Sequence, residues 1–88
     1  MWFGATQRVN LHCKQWCRLD VLAMFGNKIN MYNCSENKEY FSTSVDVQAQ
    51  EGFFGWVAGF GGNIIITAPE SVRQAYKDYL QKQLVAYL

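Results

Sequence analysis

The stretch Glu51–Pro69, EGFFGWVAGFGGNIIITAP, leaves this chain few ways to fold. Phe53, Trp56, Val57 and Phe60 fall at i, i+3, i+4 and i+7, which is one face of a 3.6-residue period. Phe54 and Ala58 lie on a neighbouring stripe and widen that face. Gly59, Gly61 and Gly62 read as a C-terminal stop, because glycine enters the left-handed conformation at little steric cost. Asn63–Thr67 is a β-branched run, long enough for a buried strand and too short for a helix. Pro69, the only proline, fits the first turn of a further helix, where its missing N–H costs nothing. The order helix, stop, strand, helix rules out a phosphate-binding loop, which needs its glycines after a strand and before a helix.

The rest of the chain supplies partners for that unit. Met1–Thr6 has no period and reads as a linker remnant, leaving residues 7–88 as one domain. Gln7–Cys13 alternates, with Val9, Leu11 and Cys13 on one face and Arg8, Asn10 and His12 on the other, as in a half-buried strand. Lys14–Phe25 has helix length, with Cys17, Val21, Leu22 and Phe25 as the inward set. Its period is blurred by Trp16, Leu19 and Met24. Lys28–Asn33 predicts a short strand with Ile29 and Met31 inward, and CSENK at Cys34–Lys38 a polar turn. Glu39–Ala49 alternates over the longest run, with Phe41, Thr43, Val45, Val47 and Ala49 sharing a face. Glu70–Leu88 predicts a helix with Val72, Tyr76, Tyr79, Leu80, Leu84 and Tyr87 as its apolar stripe.

These elements run β-α-β-β-α-β with a terminal helix. That is an α+β chain of the ferredoxin-like, split βαβ plan: a four-stranded antiparallel sheet, two helices on one face, and an extra C-terminal helix. Phe25, Phe53, Trp56, Phe60, Ile64 and Ile66 are the expected structural core. The last strand is an edge in this plan, so its three isoleucines need cover from the terminal helix or a second protomer. The sheet face turned away from the helices reads either as a solvated face, as antiparallel sheets often have, or as a ligand or partner face. It carries Arg8, His12, Lys28, Tyr32, Tyr40 and Asp46, with Trp16 as a further contact. Tyrosine and arginine on such a face are types enriched at interfaces.

Catalytic and metal chemistry find little footing. His12, Cys13, Cys17 and Cys34 show no paired close spacing of the C-x₂-C kind, and His12 and Cys13 point to opposite sides of one strand. With one histidine and no acid pair placed for proton transfer, the expectation is no enzyme, no metal and no cofactor. Net charge is +1, which offers no footprint for duplex DNA, and the third strand lacks the aromatic signature of RNA-binding sheets. No apolar run approaches ~18 residues and no leader pattern opens the chain. Three irregularly spaced cysteines read as reduced thiols, so the expected location is cytoplasmic.

Several runs in this order also resemble the C-terminal extension (WCX-type) domain of WYL-domain bacterial transcriptional regulators. They are V-x-L-x-C at Val9–Cys13, the helix ending Phe25-Gly26, the alternating strand Phe41–Val47, F-F-G-W-V-x-G-F-G at Phe53–Gly61, and I-x-I-x-x-P-E-x-V at Ile64–Val72. The resemblance covers about Arg8 to Tyr87. It implies a ligand-sensing and dimerisation module, cut away from its winged helix-turn-helix and its WYL domain. It further implies a homodimeric full-length regulator, contact with the neighbouring WYL domain, a small-molecule or oligonucleotide effector, and no direct duplex binding by these residues. Trp16 and Leu19 depart from the polar residues usual at those positions, which implies a local partner surface. The alternative is a free-standing ferredoxin-like domain that binds a small molecule.

Overall fold

A computed structural model describes residues 6–26 and 29–88. Eight elements follow in chain order: β1 (Gln7–Lys14), a 3₁₀ turn (Gln15–Cys17), α1 (Arg18–Phe25), β2 (Met31–Asn33), β3 (Tyr40–Val47), α2 (Glu51–Ala58), β4 (Ile64–Ala68) and α3 (Glu70–Val85). The strands form one antiparallel sheet in the order β2-β3-β1-β4. β1 is therefore central, paired along its whole length with β3 from Gln7↔Val47 to Lys14↔Tyr40. On its other side it meets β4, with a shift in register between Asn10 and Leu11.

Alternation sets the two faces. Val9, Leu11 and Cys13 of β1, Phe41, Thr43, Val45 and Val47 of β3, and Ile64 and Ile66 of β4 are buried. Cys17 of the 3₁₀ turn, Val21 of α1, Phe53, Phe54 and Val57 of α2 and Val72 of α3 complete one core cluster with them, apart from Thr43. Thr43 is the one buried polar residue among those described, and its hydroxyl donates to the Asn30 carbonyl at 2.6 Å. That bond offsets the cost of taking a hydroxyl out of water.

Four expectations are revised by these positions. Lys14 belongs to β1, and the expected helix over Lys14–Phe25 is a 3₁₀ turn followed by a shorter α1. The apolar residues that blurred its period, Trp16, Leu19 and Met24, are exposed. Second, β2 begins at Met31, since Asn30 lies outside the ladder while its carbonyl takes the Thr43 bond. Lys28 and Met1–Ala5 lie outside the described residues. Third, Phe54, on the neighbouring stripe that widens the apolar face, is buried although the expected core omits it. α3 covers that side of α2, with the Tyr76 and Tyr79 rings 5.5 Å and 5.7 Å from Phe54. Phe60 falls beyond the end of α2, and with Trp56 and Phe25 it is half-buried against the core.

Fourth, the glycine stop works differently at its two ends. Gly61 and Gly62 take positive φ of 60° and 90°, the left-handed region glycine tolerates. Gly59 stays right-handed, at φ −62°, where a Cβ would sit 3.3 Å from the Trp56 carbonyl oxygen. Pro69 follows a cis peptide bond and stands one place before α3. Its carbonyl accepts from the Val72 and Arg73 N–H groups. α3 then packs on β4 and α2 through Val72, Tyr76 and Tyr79, while Leu80, Leu84 and Tyr87 further along its stripe are exposed. Among the described residues no helix is long and apolar enough to cross a membrane.

Candidate binding face and the groove beside it

The face of the sheet turned away from the core is built by the remaining parity of each strand. Register brings Tyr32 of β2 beside Ser42 of β3, Ser42 beside His12 of β1, and His12 beside Ile65 of β4. One row of side chains thus crosses all four strands. Arg8 pairs with Asp46 in the ladder, and its guanidinium reaches the carboxylate at 3.2 Å. Both groups are exposed, so this ion pair adds little stability, roughly 0–1 kcal/mol. It does cancel one positive charge on the face. Asn10 accepts a 2.6 Å bond from the Ser44 hydroxyl in the same way.

His12 and Tyr40 form the densest contact on this face. Their rings stack with centroids 4.3 Å apart and planes 12° apart. The Lys14 ammonium sits 4.5 Å from the centroid of the same Tyr40 ring and 3.3 Å from a Glu39 carboxylate oxygen. Contact with Tyr40 first, then Glu39, raises the Lys14 pKa above its ordinary value. His12, Tyr40, Lys14 and Glu39 make a fixed aromatic–cation cluster, suited to stacking and hydrogen bonding on a flat group. A cation over a ring face is attracted by the ring quadrupole.

Of the residues expected on this face, Arg8, His12, Tyr32, Tyr40 and Asp46 do stand on it; Arg8, Tyr32 and Asp46 are exposed, and His12 and Tyr40 are half-buried against each other. Lys28 lies outside the described residues. Trp16 stands apart, at the end of the sheet, on the 3₁₀ turn after β1. Sequence reading left out Lys14 and Glu39. The Arg8-Asn10-His12 alternation, carried one step further, reaches Lys14 and is the signal that finds it.

Two backbone bonds fix the segment that carries Trp16. The Lys14 N–H donates to the Asn63 carbonyl at 2.9 Å, and the Gln15 N–H donates to the Glu39 carbonyl at 2.8 Å. β1 is thereby tied at this end to the start of β4 and the start of β3. The Gln15 side chain bonds Asn33, the Tyr40 carbonyl and Arg18, which anchors the turn from the other side. Trp16 leans on Phe60, with ring centroids 6.5 Å apart, and Phe60 rests edge-on against Trp56 at 5.0 Å. A groove of about 570 Å³ opens there, lined by Lys14, Gln15, Trp16, Lys38, Glu39 and Asn63.

The thiols lie elsewhere. Cys13 and Cys17 are buried on the core side, and burial first, then Cys17, pushes the Cys13 thiol up to about 12. A thiol so held is inert, and His12 faces away from it across the strand. Comparison with protein-family models, with curated proteins and with solved structures finds no match to this chain.

Proposed function

We propose that this chain is the C-terminal regulatory module, for effector sensing and dimerisation, of a cytoplasmic DNA-binding transcriptional regulator of the WYL class. The DNA-binding domain lies outside it. The observation that carries the reading is the role each motif run plays in one architecture. F-F-G-W-V-x-G-F-G supplies the covering helix α2 and its turn, and I-x-I-x-x-P-E-x-V supplies edge strand β4, the proline before α3, and buried Val72. The order β-α-β-β-α-β with strands arranged β2-β3-β1-β4 is the order of the ferredoxin-like, split βαβ plan, which we adopt as the fold.

On this reading the module binds and does no catalysis. Its open face, Arg8 through Tyr32 and Tyr40, receives a neighbouring WYL domain, an effector or both, in a homodimeric full-length protein. Duplex DNA is left to the upstream domain, in keeping with the +1 net charge. The test is the reading frame itself. Sequencing the gene through both flanks is expected to show an upstream helix-turn-helix in frame. A protein expressed in the cell with these 88 residues alone overturns the reading. The second reading, a free-standing small-molecule-binding domain of the same fold, is favoured by one observation, the groove at Trp16.

A further inference from the structure

We propose that the groove between Trp16, Lys14 and Lys38 is a binding site for a small, flat aromatic or heteroaromatic monoanion, with the indole of Trp16 as its stacking platform. Its physiological meaning as an effector site rests on the regulatory reading, whereas the binding itself does not.

Three features argue for a ligand. Trp16 is 63% exposed although it is the largest side-chain type, so much of its ring is unused by the fold. It is nevertheless packed on one side and carried on a fixed turn. Phe60 backs it and Trp56 backs Phe60, while the Lys14 and Gln15 backbone bonds hold its turn to two strands. A ring already held loses little freedom when a second ring stacks on it, which is how preorganisation favours binding. The groove, at about 570 Å³, falls within the range of small-molecule sites, roughly 300–1,000 Å³.

Charge sets the class. Three ionisable groups line the groove: Lys14, Lys38 and Glu39. Lys14 and Glu39 are joined at 3.3 Å and cancel. Lys38 has no ion-pair partner among the described residues, leaving one positive charge for a carboxylate or similar monoanion. The Asn63 side chain donates to the Phe60 carbonyl, and the Gln15 amide is spent on Asn33 and Tyr40. The anion's partner is therefore Lys38. A dianion would leave one charge unmatched beside Glu39, and a cation would meet Lys38 directly.

The test is a titration of the ¹⁵N-labelled full chain followed by amide and indole N–H shifts. The probes are indole-3-carboxylate, neutral indole and cationic tryptamine. Indole-3-carboxylate should shift the Trp16 indole N–H and the amides of Gln15, Lys38, Glu39 and Asn63 in a saturable way. It should bind at least about fivefold more tightly than indole and weaken with added salt. Trp16→Ala should raise its Kd about tenfold or more, on the scale of ring stacking elsewhere. Lys38→Gln should remove most of the preference for the anion while indole binding stays the same. Unchanged shifts for Val57 and Val45 check that each variant is folded, and Trp16→His, which keeps a flat ring, should restore part of the affinity. No saturable shift with indole-3-carboxylate overturns the inference, as does equal binding of indole. Stronger perturbation of the same amides by an acidic peptide without aromatic residues overturns it in favour of a protein-docking surface. None of these failures bears on the upstream reading frame, so the two readings fail separately.

Discussion

Truncating Phe54 to alanine tests how α3 is joined to the rest of the molecule. Phe54 is 4% exposed and sits between the sheet and α3. It touches Phe53 at 6.0 Å and the Tyr76 and Tyr79 rings of α3 at 5.5 and 5.7 Å. Removing a buried phenylalanine costs about 3–5 kcal/mol, from lost transfer energy and the cavity left behind. Aromatic pairs of this geometry account for about 0.5–1.5 kcal/mol each of that loss. A chain of this length has a total stability of roughly 4–13 kcal/mol, so one substitution removes about a quarter of it or more. The effect should not be uniform. α3 rests on Val72 and the two tyrosines, and a helix in a protein takes most of its stability from such packing. Urea unfolding followed by circular dichroism should show the global loss, and hydrogen exchange should show the Arg73–Leu80 amides losing protection first. Phe60→Ala, at a half-buried ring, should cost about 1–2 kcal/mol and leave α3 exchange unchanged. A loss under about 1 kcal/mol for Phe54→Ala, or unchanged protection in α3, would refute the account of α2 as a helix buried on two sides.

Three further outcomes are expected. Gly52→Ala should stabilise by about 0.5–1 kcal/mol, because the site is helical and an added Cβ meets nothing within 4 Å; Gly61→Ala, at φ +60°, should destabilise by about 1–2 kcal/mol, and thermal melts of the pair should move in opposite directions. The Cys13 thiol, held at about 12 against 9.0 in an unfolded chain, contributes stability that is whole below pH 9 and is lost as pH climbs from 9 towards 12. That loss approaches about 1.4 kcal/mol per pH unit, so urea midpoints should fall more steeply across this range for the native chain than for Cys13→Ala. Thr43→Val keeps the shape and removes the 2.6 Å bond to the Asn30 carbonyl; the cost should be about 1 kcal/mol by chemical denaturation, small because Asn30 is exposed and water can take the place of the hydroxyl.

β1, β3 and β4 were legible in the sequence because each has one buried face, and a period of two then marks both the strand and its orientation. Val9-Leu11-Cys13 and Phe41-Thr43-Val45-Val47 are buried together for that reason. The first helix was legible in its existence and its end at Phe25, but not in its start. No glycine or proline separates β1 from the 3₁₀ turn, and Trp16, Leu19 and Met24 are apolar without being buried. Gly59 misled in another way, since its type suggests a left-handed turn while its need is a bare Cα beside the Trp56 carbonyl. Phe54 shows the limit of a single-helix period: which stripes of α2 are covered depends on α3, and only tertiary packing supplies that. The outward face was legible as a set of residues, but its His12–Tyr40 stack depends on the diagonal neighbours chosen by strand register.

The central place of β1 has a consequence for how the molecule comes to be folded. Its hydrogen-bonding partners are strands that begin at residues 40 and 64. When the first strand leaves the ribosome, neither flank that will hold it exists. Its β3 flank is complete only once the chain has run to Val47, and its β4 flank only at Ala68. Pairings of such long range fold slowly, and a waiting apolar strand is open to mispairing with other chains. Arg8, Asn10, His12 and Lys14 alternate with those apolar residues along the same segment. The face proposed for recognition in the finished protein thus also sets a polar side chain beside each apolar one of the unpaired strand.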